Sequence, residues 1–120
     1  MYQYSAKILK VVDGDTVHAE VDLGFDTKQK MTFRLLGLDA PETRTKDLEE
    51  KRRGNEVKEW LTKRIENRNV IVETKKDKKE KYGRYLAVVV DPQTMMDISV
   101  VIKDKFRDYF PEEKSEVLLK

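Results

Sequence analysis

Thr16-Val-His-Ala-Glu-Val-Asp-Leu23 alternates apolar and polar side chains with period two, the pattern of a strand with one face in a core and the other in water. Val17, Ala19, Val21 and Leu23 fall on the core face, which puts His18 outside. Just upstream, residues 6–12 (Ala-Lys-Ile-Leu-Lys-Val-Val) carry β-branched residues and stop at Asp13-Gly14, a turn signal. These two runs predict a hairpin with Asp15 at the entry to its second strand. Gly24-Phe-Asp-Thr-Lys28 closes that strand, and residues 30–36 (Lys-Met-Thr-Phe-Arg-Leu-Leu) supply a third. Val70–Thr74 and Tyr85–Val90 read as two more, the last stopped by Asp91-Pro92.

Between the third and fourth strands, residues 43–53 are polar and charged without clear periodicity, which predicts a surface loop. Val57, Trp60, Leu61 and Ile65 then recur at helical spacing, predicting a helix over about 55–67 that starts at Gly54 or Asn55 and ends near Asn67. A second helix is predicted from Asp97 or Ser99 to Tyr109. Its apolar stripe includes Ile98, Val101, Ile102 and Phe106, and Pro111 closes it. Met95 and Met96 read as gap-fillers, and residues 112–120 as a frayed end. Five short strands with one helix inserted after the third predict an α+β, mainly β, fold. It is a five-stranded OB-like barrel with a second helix near the C-terminus, in one domain over residues 1–120.

Composition bounds the rest. A chain of 120 residues supports one core and not two. With 40% charged residues against 38% hydrophobic, that core must be compact and the surface ionic. No apolar run reaches the roughly 18 residues of a membrane span, so no membrane association is expected. The N-terminus lacks the pattern of a signal peptide. The expected location is cytoplasmic for a complete chain and secreted for a mature form. Cysteine is absent and His18 is the sole histidine, which excludes disulfides and thiolate or imidazole-rich metal sites. The net charge of +2 argues weakly for a polyanionic partner, but its distribution says more. Residues 75–84 hold five Lys and one Arg against two acids, a run that reads as a solvated loop or a phosphate contact.

The chemistry concentrates in Phe33-Arg-Leu-Leu-Gly-Leu-Asp-Ala-Pro-Glu-Thr43. Asp39, with Asp15 and a turn carbonyl at Ala40, offers the oxygen donors that hard cations such as Ca²⁺ or Mg²⁺ select. Taken alone, Asp13-Gly-Asp15 would be only a hairpin turn. Arg34 is a charge in an otherwise apolar strand, and Arg84 opens the Tyr85–Val90 strand in the same way. Planar guanidinium groups form paired, charge-assisted hydrogen bonds to phosphate, although either could pair with a neighbouring acid instead. Glu42 is the candidate general base for a water molecule.

Three motifs in order, Asp13-Gly-Asp-Thr16, Arg34-Leu-Leu-Gly-Leu-Asp-Ala-Pro-Glu-Thr43 and Lys81-Tyr-Gly-Arg84, resemble those of the staphylococcal (micrococcal) nuclease, or thermonuclease-like, family. The resemblance covers roughly residues 6–110. It implies a Ca²⁺-dependent nuclease that cuts DNA and RNA, single-stranded or locally melted, and leaves 3′-phosphates. Asp15, Asp39 and the Ala40 carbonyl would be the metal ligands, Arg34 and Arg84 the phosphate-binding pair, and Glu42 the water-activating base. Lys81 and Tyr82 would contact the terminal phosphate, and a monomer is expected. On this resemblance no counterpart of the family's third helix is expected within residues 1–120, and Tyr109 and Phe110 do not fall in register with the family's nucleotide-stacking tyrosines. The alternative on the same barrel is a nucleic-acid-binding module without cleavage.

Overall fold

The structure, a computed structural model, describes residues 2–79 and 83–110, with the backbone alone described at 75–79. Five strands close into a barrel: β1 (Tyr2–Asp13), β2 (Thr16–Gly24), β3 (Thr27–Leu35), β4 (Asn69–Lys79) and β5 (Tyr85–Val90). Their spatial order is β1-β2-β3-β5-β4. All pairings are antiparallel except β3 with β5, the parallel contact that a long crossover connection permits. Strand β1 is the hinge of the closure. It pairs with β2 on one side and β4 on the other, and register shifts after Ile8 and Val11 bend it between them. The OB-like barrel read from the sequence is therefore the fold.

The crossover carries α1 (Leu48–Ile65), and α2 (Ile98–Lys105) follows β5 with a single 3₁₀ turn at Arg107–Tyr109. Val57, Leu61 and Ile65 of α1, and Ile98 and Ile102 of α2, join Ile8, Val17, Phe33, Leu35 and Val89 of the barrel in one core. Each of these side chains is almost fully removed from water, a transfer worth about 1.5–3 kcal/mol for a large aliphatic or aromatic group.

Helix α1 begins at Leu48, seven residues before Asn55. Asp47 caps it by accepting from the backbone N–H groups of Glu49 and Glu50. The first two turns show no apolar stripe because they carry little of the core. Ion pairs hold them instead, Arg52 reaching Glu49 and Glu56 at 2.6 Å each. Gly54 is thus an interior helical residue and not a start signal. Other boundaries also move. The first and third strands start earlier than the periodicity indicates. Strand β4 continues to Lys79, so the first half of the basic run is strand and not loop. The α2 helix ends at Lys105 instead of running to Tyr109.

Two expectations of side-chain placement fail, one for the period-two face at Leu23 and one for the two methionines. Leu23 is 37% exposed because the β2–β3 register shifts between Asp22 and Gly24. Met95 and Met96 are exposed and fill no gap; Met95 sits at φ 61° in the turn between β5 and α2. Lys81, Tyr82, Pro111 and the stretch 112–120 lie outside the described residues. Among those described, no helix is long and apolar enough to cross a membrane.

One polar lock fixes the helices on the barrel. Asp91, fully buried, accepts two hydrogen bonds from Arg64 of α1, from Nε at 3.1 Å and Nη2 at 2.8 Å. The Thr94 hydroxyl at 2.7 Å and the Gln93 backbone N–H at 3.3 Å complete its shell. The Arg64 guanidinium, with these added donors, holds the Asp91 carboxyl down to about 2.

Candidate active site

The turn between β1 and β2 is pressed against α1 and the segment after β3. A Cβ on Gly14 would lie 2.7 Å from Val57 Cγ1 and 3.0 Å from Ala40 Cβ, so only glycine fits. The approach brings Asp15 to the end of β3. Its carbonyl accepts from the Leu35 N–H at 2.8 Å. Its carboxylate accepts from the Thr16 hydroxyl at 3.0 Å and from the Ala40 N–H at 3.2 Å. Asp13 ties down the far side of the same loop, accepting from the Thr43 hydroxyl at 2.5 Å.

Arg34 projects from the outward face of β3 between the two candidate ligands. Its Nη2 lies 3.1 Å from Asp39 Oδ1, and its Nε lies 4.0 Å from Asp15 Oδ2. Arg34 thus pairs with neighbouring acids while facing the cleft. Asp39 is almost fully exposed, whereas Asp15 is mostly enclosed. Burial pushes the Asp15 carboxyl above its ordinary value. The Thr16 and Ala40 hydrogen bonds and the Arg34 charge oppose the rise, and the nearby Asp13 adds to it.

Glu42 is positioned from below by α1. A Cβ on Gly54 would lie 2.6 Å from the Pro41 carbonyl oxygen and 2.8 Å from that of Glu42. The helix therefore meets the turn backbone directly, and the Glu42 N–H donates to Glu50 Oε1 at 3.2 Å. Gly14 and Gly54 are supporting residues that the sequence reading did not assign. No signal in the sequence singles out Gly54, since the charged turns around it carry no apolar stripe.

Asp15, Arg34, Asp39, Ala40, Glu42 and Arg84 all line one open cleft of about 440 Å³. Six of the eight site residues read from the sequence are thereby brought together, while Lys81 and Tyr82 lie outside the described residues. His18 stays out of the cleft, sharing a hydrogen bond of 2.8 Å with Thr32 on the outer barrel face.

The donor set fits a hard cation in kind. Asp15, Asp39 and Ala40 line the cleft together, with neither thiol nor imidazole beside them. It is a partial shell, since no group of three acidic or histidine side chains among the described residues could hold an ion unaided. Asp15 is the enclosed member of the set, its carboxylate held by Thr16, Ala40 and Arg34 at the cleft wall.

Residues 32–104 match the sequence pattern of the family described as staphylococcal nuclease homologue. The chain belongs to the staphylococcal nuclease family. The matched stretch carries Arg34, Asp39, Glu42 and Arg84, and the fold adds Asp15 from the preceding hairpin. Similar proteins include the thermonuclease of Staphylococcus intermedius, 30% identical over 93% of this chain and 65% of its own length. The thermonuclease of Staphylococcus hyicus is 31% identical over 69% of this chain and 46% of its own. An uncharacterized protein of Methanocaldococcus jannaschii is 37% identical over 72% of this chain and 48% of its own. The chain spans about half the length of most of these relatives.

Proposed function

We propose that this member of the staphylococcal nuclease family is a Ca²⁺-dependent, monomeric nuclease. It hydrolyses phosphodiester bonds of DNA and RNA with little sugar discrimination and leaves 3′-phosphates. The observation that carries the reading is the convergence of two arginines, two aspartates and a glutamate on one cleft. All five address a phosphate, a cation or a water molecule, and none is committed to the sugar. A cleft of this size suits a phosphate and its nucleotide better than an intact duplex, which favours single-stranded or locally melted substrate.

Arg34 and Arg84 bind the phosphoryl oxygens. Their paired donors stabilise the extra negative charge that accumulates there as water attacks. The Arg34–Asp39 pair yields readily to substrate, because an exposed ion pair is worth only about 0–1 kcal/mol. Glu42 takes the proton of the attacking water, and the turn clamped on Gly54 fixes its backbone relative to Arg34. Asp15, Asp39 and the Ala40 carbonyl would hold the Ca²⁺, which when bound supplies Lewis-acid stabilisation of the same developing charge.

The test is incubation of the protein with plasmid and single-stranded DNA in Ca²⁺, in Mg²⁺ and in chelator. Cutting stimulated by Ca²⁺ and abolished by chelator is the expected result. Binding of DNA without any Ca²⁺-stimulated cutting would replace this reading with the non-cleaving module.

A further inference from the structure

A second groove, of about 540 Å³, runs beside the cleft on the outer barrel face, with Lys10, His18, Gln29, Lys30, Thr32 and Tyr85 among its walls. Its relation to the cleft is strand by strand. On β2, Thr16 lines the cleft and His18 the groove; on β3, Arg34 lines the cleft and Thr32 the groove. At the start of β5, Arg84 lines the cleft while Gly83 and Tyr85 line the groove. The two hollows are consecutive positions along the same ladder, since Thr16 pairs with Arg34 and His18 with Thr32. Two residues of strand advance about 6.7 Å, which is of the order of one nucleotide of an extended single strand.

The charge character changes between them. Four carboxylates line the cleft (Asp13, Asp15, Asp39 and Glu42). Among the described residues lining the groove there is no carboxylate, while Lys10 and Lys30 are both exposed. The nearest acid in the ladder, Glu20, sits opposite Lys7 and Lys30. Such a surface suits a polyanion and not a second cation site. The hydrogen-bonded His18–Thr32 pair gives it a fixed polar floor.

We propose that this groove is a subsite for the sugar–phosphate backbone next to the scissile phosphate, with Lys10 and Lys30 contacting phosphates of a polynucleotide single strand. The proposal rests on the nuclease reading of the cleft. It makes the enzyme selective for chain length: a strand that fills cleft and groove is held more tightly than a dinucleotide that fills the cleft alone.

The experiment compares binding of a phosphorothioate oligothymidylate of about a dozen residues with binding of a phosphorothioate dinucleotide, with Ca²⁺ present and over a range of salt. Wild type is expected to favour the longer strand. In Lys10→Ala/Lys30→Ala that preference shrinks, and the slope of log affinity against log salt for the long strand becomes shallower by about 1.4, two contacts at about 0.7 each. Lys10→Arg/Lys30→Arg restores both, and thermal unfolding confirms that the exposed substitutions leave the fold intact. A double-alanine variant with unchanged length preference and salt slope overturns the groove while leaving the cleft standing. A wild-type protein that binds neither ligand overturns both.

Discussion

Asp15 and Asp91 are both carboxylates drawn out of water beside an arginine, one just before β2 and the other just after β5. Asp91 is wholly enclosed, and Arg64, Thr94 and Gln93 meet its oxygens so fully that its carboxyl is held down to about 2. Asp15 is less enclosed, yet its carboxyl is pushed up. Arg34 stands 4.0 Å away with its closer contact on Asp39, and Asp13 adds a like charge. A saturated carboxylate locks two elements together. One raised by burial in an open cleft is the kind of group found where a ligand binds, and the proposed function gives Asp15 that part.

Removing each arginine separates these roles. Arg64→Ala strips a buried charge of its partner and should cost about 3–5 kcal/mol of stability, read by thermal or denaturant unfolding. Arg34→Ala, and likewise Arg84→Ala, should leave the melting temperature nearly unchanged while slowing DNA cleavage by about 10²–10³. Near-normal turnover by either variant would sink their assignment to the phosphate, and an Arg64→Ala protein as stable as wild type would sink the lock.

Acid offers a second contrast, with opposite signs. Asp91 releases its proton more readily folded than unfolded, so its contribution is fully present above about pH 4. It fades as pH falls from there toward about 2, a loss of about 2 kcal/mol. Unfolding curves of wild type and Asp91→Asn should converge across that window. Asp15 binds its proton more tightly when folded, so its ionisation weakens the metal-free protein as pH rises. Asp15→Asn is therefore expected to raise the melting temperature of the metal-free protein at neutral pH. A lower melting temperature would show that Asp15 is already compensated.

Much of this was legible in the chain. Period-two alternation at 16–23 and the apolar runs at 70–74 and 85–90 mark strands because one face of each must reach the core. Asp15, Asp39, Glu42 and Arg84 of the three polar motifs stand beside strand ends, where the barrel gathers them into one cleft. The first turns of α1 stayed hidden, since charge pairs and the Asp47 cap hold them and leave no periodic trace. Gly54 looked like a helix boundary because its value lies in contact with a turn twelve residues upstream in sequence, which only the fold reveals. Leu23, Met95 and Met96 mislead for a related reason: turns and register shifts carry apolar side chains outward.

Calorimetric titration of Ca²⁺ into wild type and Asp15→Asn tests the account most directly, because it reads the cation without relying on turnover. Wild type should bind, and thermal unfolding should show it stabilised by the ion as mass action requires. Asp15→Asn, although more stable without metal, should lose both responses. Equal binding by the two proteins, or none by wild type, would contradict the assignment of Asp15 as the carboxylate that waits for a cation.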